Sequence, residues 1–420
     1  MYDLCIVGAG LIGSAAARHA SLTQGRRICI IGPEDPEDYR NLPKERDIFG
    51  AHYDEGRITR RNDRDPIWSS LAEKSINRYR ALEKDSGIHF YDEVGCMSVG
   101  EIGGDYLTPI SENNERQGIK ARKMDPKETK QEFPFLNFST NDGAVYESEQ
   151  AGYISPRKLV QAQLKVAKQN GCDVMRDVVK EVKRRVDRNN KCFMEVVTDR
   201  GRTISAEKVL LATGAFTTFR DLLGYGPQPD LDLCPLTVAK VEVSEQDAHK
   251  IKSMPSVIYK GRGGTGWTRD FPINDDQSVS FYMLPAVLYP DGKYYIKLGH
   301  FHGTITRRLH TAEEVGEWFR GKGDVDLVKS TADLICSVVK VERQSYHGDS
   351  CVVVETPTFR PYVDMIHGQL GVALGGNGYA AKSSDEIGRI AAKMVAENTW
   401  DTNIPRHVLC IKYKPVQSKL

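Results

Sequence analysis

Gly8, Gly10 and Gly13 directly follow the short apolar run Asp3-Leu4-Cys5-Ile6-Val7 and precede a helix-prone stretch, Ser14-Ala15-Ala16-Ala17-Arg18-His19-Ala20. In a turn of this spacing one glycine makes the bend, one lets the backbone approach a pyrophosphate, and one lets helix and strand pack closely. The phosphates of a dinucleotide would rest on the helix N-terminus, where free N–H groups and the helix dipole favour negative charge. A second strand, Arg27-Ile28-Cys29-Ile30-Ile31, comes at the right distance, so the context the motif requires is present. The acidic residue expected at the end of that strand is replaced by Gly32, which leaves Glu34 as the candidate for the ribose hydroxyls.

Other reactive side chains stand further along. Arg57, Arg60, Arg61 and Arg64 are closely spaced; Arg60 could clamp a carboxylate, or the four could form a solvated basic face. Nine cysteines are scattered, with no Cys-x-x-Cys pair and no Cys/His cluster at metal spacing, so reduced thiols and no metal site are expected. The sequence ends in Ser418-Lys419-Leu420, a tripeptide read by the peroxisomal import receptor, so peroxisomal localisation is expected.

The elements that would position these residues alternate in type. Asp65-Pro66 signals a helix whose apolar stripe is Ile67, Trp68, Leu71, Ile76, Tyr79 and Leu82, and Ser155-Pro156 starts another that stops at Gly171. Val209-Leu210-Leu211-Ala212-Thr213-Gly214 reads as a buried strand ending in small residues. Residues 235–345 are richer in strand patterns, with Tyr289-Pro290-Asp291-Gly292-Lys293 as a hairpin turn. The chain then returns to a strand at 371–374, a turn Gly375-Gly376-Asn377-Gly378 and a helix through Ile387, Ile390 and Met394. The expected class is α/β: a discontinuous Rossmann-like domain from 1–87, 149–230 and 346–420, and a mixed-sheet α+β substrate domain from 88–148 and 231–345.

The composition of the 420 residues, 58 basic against 57 acidic side chains, gives no field for nucleic acid or anionic membrane. No apolar run approaches the roughly 20 residues that span a bilayer.

Taken together, these residues resemble the flavin-dependent amine oxidases of the D-amino-acid-oxidase superfamily, most closely the monomeric sarcosine oxidase and pipecolate oxidase family. The resemblance covers nearly the whole chain and implies FAD on Gly8, Gly10 and Gly13, with a backbone group of Val179 at the adenine. Residues 51–60 resemble the family's His-Gly-x-x-Arg-x-x-Arg segment, which implies Arg57 near the flavin and Arg60 on the substrate carboxylate. Tyr295-Ile296-Lys297-Leu298-Gly299-His300 is similar to the segment whose lysine activates oxygen. Cys351, Thr356 and Asp364 match in register the segment whose cysteine bonds to the flavin, and Lys382 matches a second carboxylate-binding lysine. Tyr282 could line the pocket or sit in the core.

The sequence departs from the family where Val353 replaces an aromatic residue, where Gly376-Asn377-Gly378 replaces Gly-His-Gly, and where the active-site histidine is displaced toward His300 or His302. The function so implied is oxidation of an N-methyl or cyclic amino acid by a monomer carrying FAD on Cys351. The products would be an imine, or its aldehyde and amine, and hydrogen peroxide from molecular oxygen. A flavin dehydrogenase using another acceptor, and a flavin-binding protein without turnover, are the alternatives.

Overall fold

In the computed structural model, residues 1–36, 46–224, 227–264, 267, 278–300 and 307–415 are described. The first strand, β1 (Tyr2–Val7), has Leu4, Cys5 and Ile6 fully buried, as a parallel strand covered on both faces requires. It pairs in parallel with β2 (Ile28–Gly32) on one side and with Thr203–Leu211 on the other. The sheet continues in parallel to Asp173–Arg176 beyond β2 and to Leu370–Leu374 beside Thr203–Leu211. Antiparallel strands Val179–Val186, Cys192–Thr198 and Tyr362–His367 complete its eight.

Helix α1 (Leu11–Ser21) joins β1 to β2 and presents Ala15, Ala16 and Ala17, all fully buried. These small side chains admit the helix Ala380–Glu397 at close range. A Cβ on its Gly388 would stand 2.7 Å from the Ala16 nitrogen and from the Ile12 carbonyl oxygen. Helix α2 (Pro66–Ser86) starts where the sequence places it: Asp65 accepts from the N–H groups of Ile67 and Trp68, and Gly87 closes the helix at φ +66. Trp68, Leu71, Ile76, Tyr79 and Leu82 form its buried stripe. Ser155 likewise caps Pro156–Gln169.

A second, nine-stranded sheet runs Ser345–Glu355, Asp232–Val243, Tyr294–His300, Val279–Met283, Ser256–Gly261, Cys96–Glu101, Asp142–Glu147 and Arg122–Met124, with Val287–Leu288 paired to Tyr294–Tyr295 through the expected hairpin. Val257, Tyr259, Phe281, Ile296 and Leu298 make its core, backed by the helix Val325–Val338. A small sheet formed by β3 (Arg57–Thr59), Gly152–Ile154 and Tyr91–Asp92 completes the three.

The division expected at residue 346 falls inside a strand of the second sheet. Ser345–Glu355 pairs along its full length with Asp232–Val243, so Cys351 stands opposite Leu236 and the chain rejoins the first sheet at Tyr362. Alternating β and α patterns mark element type but carry no record of which sheet an edge strand joins. Lys297 lies within Tyr294–His300, opposite Lys240.

No helix among the described residues is long and apolar enough to cross a membrane. The Ser418-Lys419-Leu420 ending and His302 lie outside the described residues.

Candidate active site

One long cleft runs from the C-terminal ends of β1 and β2 to the face of the second sheet. At its first end the backbone dictates the residues. Gly8 has φ +104, and a Cβ there would lie 2.4 Å from the Ala212 carbonyl oxygen; a Cβ on Gly13 would lie 1.8 Å from the Gly8 oxygen. Only glycine fits at either position. Gly10 begins α1 without any side-chain cap, so the first-turn N–H groups remain for an anion. Gly8 and Gly10 line the cleft, whereas Gly13 supports the turn from behind.

Two further groups at this end have unspent hydrogen-bonding capacity. His52 lines the cleft with Nδ1 buried and unpartnered; burial and the nearby Arg157 and Arg57 bring its pKa down to about 3, so the ring is neutral. Asp177 lines it too. Its Oδ1 accepts the Val178 N–H at 2.8 Å, while Oδ2 is buried without a partner. Val178 and Val179 are on the same wall. Glu34 is not: its side chain is exposed, and its carbonyl accepts from Arg46 Nη2 at 2.6 Å. The chain leaves β2 through Gly32 and Pro33 in a direction that turns Glu34 outward, so Asp177, at the end of the neighbouring strand, is the carboxylate available to ribose hydroxyls. The glycine turn, the open helix end and these two orphaned atoms fit an FAD bound through its pyrophosphate and adenosine.

At the other end, charged side chains are buried in two clusters. Arg57 lines the cleft with Nη2 3.8 Å from Cys351 Sγ, and Nη1 donates to Asp54 and to the Gly56 carbonyl. Cys351 is half-buried and also lines the cleft, its carbonyl accepting from Trp318 Nε1 at 2.9 Å. Lys297 is fully buried behind this wall and does not line it: Nζ donates to Asp54 Oδ2 at 2.5 Å and to the Gly56 oxygen at 2.6 Å, 5.8 Å from the centre of the Tyr282 ring. Tyr282 lines the cleft. Burial opposes ionisation of Asp54, but Lys297, Lys240 and Arg57 outweigh it and hold the carboxyl well below its usual range. Burial and the Arg57 guanidinium bring the Lys297 ammonium from 10.5 down to about 8, against the pull of Asp54.

The second cluster is Arg60, Lys382 and Asp63. Arg60 and Lys382 line the cleft and are buried, so Arg60 is no part of a solvated basic face. Arg61 beside it is tied to Glu147 at 2.6 Å. Arg60 Nη1 and Lys382 Nζ both donate to Asp63 Oδ2, at 2.8 and 2.7 Å. Burial and Arg60 lower the Lys382 ammonium to about 8.

Asn377 joins the two halves: its Oδ1 accepts the Thr356 N–H at 2.8 Å and its Nδ2 donates to the Gly375 carbonyl at 2.7 Å, fixing the glycine turn against the end of the Cys351 strand. His300 contributes its backbone to the second sheet. Among the described residues no group of His, Cys, Asp and Glu could hold a metal ion.

A stretch of 178 residues is 30% identical to a monomeric sarcosine oxidase of Streptomyces avermitilis, over 41% of this chain and 42% of that protein. Another, of 237 residues, is 24% identical to an N-methyl-L-tryptophan oxidase of Yersinia pestis, over 56% and 57%. The matched stretches thus span about half the length of these relatives. The solved structure of NikD, described as an unusual amino acid oxidase essential for nikkomycin biosynthesis, superposes with a TM-score of 0.73 over 98% of both chains at 17% identity, which shows the shared fold. Residues 3–394 match the FAD dependent oxidoreductase family, in agreement with the glycine turn and the cleft it opens: the chain is an FAD-dependent oxidoreductase of that family.

Proposed function

We propose that this oxidoreductase oxidises a secondary-amine amino acid, N-methylated or cyclic, with molecular oxygen as acceptor. The carrying observation is the convergence of Arg60 and Lys382 on one carboxylate oxygen at the far end of the cleft. A wall that already holds a carboxylate between a guanidinium and an ammonium has the donors to hold a substrate's. The sarcosine and N-methyl-L-tryptophan named for the two relatives are both N-methyl amino acids, which supports the substrate class. Bound FAD supplies the two-electron acceptor. In the net reaction the amine and its neighbouring carbon lose two electrons and two protons to give an imine, and oxygen gains them as hydrogen peroxide. Arg60 and Lys382 orient the carboxylate, Tyr282 walls the amine side, and Cys351 is the anchor for covalent attachment, with Arg57 beside its sulfur.

A dehydrogenase passing electrons to another acceptor is the second reading, favoured by one observation: Lys297 is docked on Asp54 behind the cleft wall. A peroxide-coupled screen of N-methyl, cyclic and D-amino acids, with oxygen consumption followed in parallel, separates the two. Substrate-dependent peroxide supports the oxidase; turnover only with an artificial electron acceptor supports the dehydrogenase.

A further inference from the structure

We propose that Asp63 is a built-in counter-ion that restricts the site to substrates bearing a single carboxylate, an inference that rests on the amino-acid reading above. Arg60 and Lys382 face the cleft, whereas Asp63 is not on its wall and meets both cations from behind through the single oxygen Oδ2. Asp63 is held in place independently of them. Its Oδ1 accepts the Asp65 N–H at 3.2 Å, and its carbonyl accepts from Asn113 Nδ2 at 2.8 Å. The carboxylate therefore fixes where the two cations point as well as how much charge they present.

Among the neighbouring charges Arg64 is exposed to solvent and the others pair off. Glu147 takes Arg61 through its side chain and also accepts the N–H groups of Arg61 and Asn62, and Asp65 takes Arg360. Two cations, Arg60 and Lys382, against one carboxylate, Asp63, leave the wall with one net positive charge. A substrate with one carboxylate neutralises it. A second carboxylate would bring an uncompensated negative charge into a buried site that already contains Asp63, where like charges repel strongly.

The test is isothermal titration of the flavin-containing protein at neutral pH with malonate and with malonamate, which has the same shape and one charge fewer. Wild-type protein is expected to bind malonamate at least about tenfold more tightly. Asp63→Asn removes the buried negative charge that a second carboxylate would meet and leaves the bound dianion to hold the Lys382 proton; it is expected to shift the ratio at least about tenfold toward malonate, and Asp63→Glu to keep the wild-type preference. Equal or tighter binding of malonate by the wild type overturns the proposal without any variant. An Asp63→Asn protein that binds both with the wild-type ratio overturns it as well, while leaving the carboxylate site itself standing. Failure of the wild type to bind either ligand would remove the carboxylate site and this inference with it.

Discussion

Lys297 Nζ lies 2.5 Å from Asp54 Oδ2, and the same carboxylate oxygen receives the guanidinium of Arg57. The Lys297 side chain is wholly buried and that of Asp54 is 4% exposed, so neither charge is screened by water. Asp54 also accepts Tyr289 Oη at 2.8 Å and lies 3.6 Å from Lys240, which is itself paired with Asp349 at 2.7 Å. Lys297 and Lys382 are thus each held on an aspartate that also takes an arginine: Asp54 with Arg57 and Lys297, Asp63 with Arg60 and Lys382.

Removing Asp54 is therefore expected to be costly. Asp54→Asn leaves the buried Lys297 and the half-buried Arg57 side by side without their shared counter-ion, a change of the kind that destabilises by about 3–5 kcal/mol when fully buried and by less where one partner is partly exposed. Chemical denaturation should show a clearly lower midpoint. A midpoint equal to wild type would show that the pair contributes nothing to stability.

The pH dependence follows from the direction of the Lys297 shift. With a folded pKa of about 8 instead of 10.5, its positive charge is largely present at pH 7 and is lost as pH rises through about 8. If the ammonium stabilises charge developing on oxygen, the rate of reoxidation by oxygen should fall across that range. Lys297→Met should slow reoxidation by orders of magnitude and abolish the break, with far less effect on reduction by substrate. Asp54 raises the Lys297 pKa, so Asp54→Asn should move the break to lower pH. Stopped-flow traces that show equal slowing of both half-reactions in Lys297→Met would reject this role.

Arg60→Ala should weaken substrate binding at least about tenfold, since a charge-assisted hydrogen bond contributes about 1.5–3 kcal/mol. Esters and decarboxylated analogues should be correspondingly poor substrates of the wild type. An unchanged KM in Arg60→Ala would place the substrate carboxylate elsewhere.

For the cofactor, flavin should remain with the acid-precipitated wild-type polypeptide and be released from Cys351→Ala. In that released background, Asp177→Ala should lower FAD affinity, because Asp177 lines the cofactor end of the cleft, and Glu34→Ala, off that wall, should leave it within about twofold. Spectroscopic titration of the apoprotein measures both; the reverse ranking would restore Glu34 as the ribose partner.

What the sequence reveals of this site depends on how local the constraint is. Gly8 and Gly13 are legible because a turn between β1 and α1 that would bring a Cβ within 2.4 and 1.8 Å of a carbonyl oxygen tolerates one residue type. The caps Asp65 and Ser155 are legible for the same reason. Arg57, Arg60, Lys382 and Cys351 are found through resemblance, and all four line one cleft. The aspartates that hold the arginines and lysines, Asp54 and Asp63, are not legible. Lys297 and Asp54 are 243 residues apart, Lys382 and Asp63 are 319 apart, and nothing in either local pattern distinguishes a buried counter-ion from a surface acid. Glu34 was the natural candidate by position along β2, but the cleft instead meets the end of the next strand, at Asp177. Assigning Ser345–Glu355 to a sheet likewise needs its pairing with Asp232–Val243, which sequence periodicity does not encode.

Whether this flavoprotein oxidises a carboxylate-bearing secondary amine and delivers its electrons to oxygen can be measured directly by mixing the protein anaerobically with N-methyl and cyclic amino acids and then admitting oxygen. At least one such amino acid should bleach the flavin, the matching amine without a carboxylate should not, and oxygen should restore the colour with one peroxide formed per amine consumed. Bleaching by the simple amine as fast as by the amino acid, or a bleached flavin that oxygen fails to recolour, would contradict it.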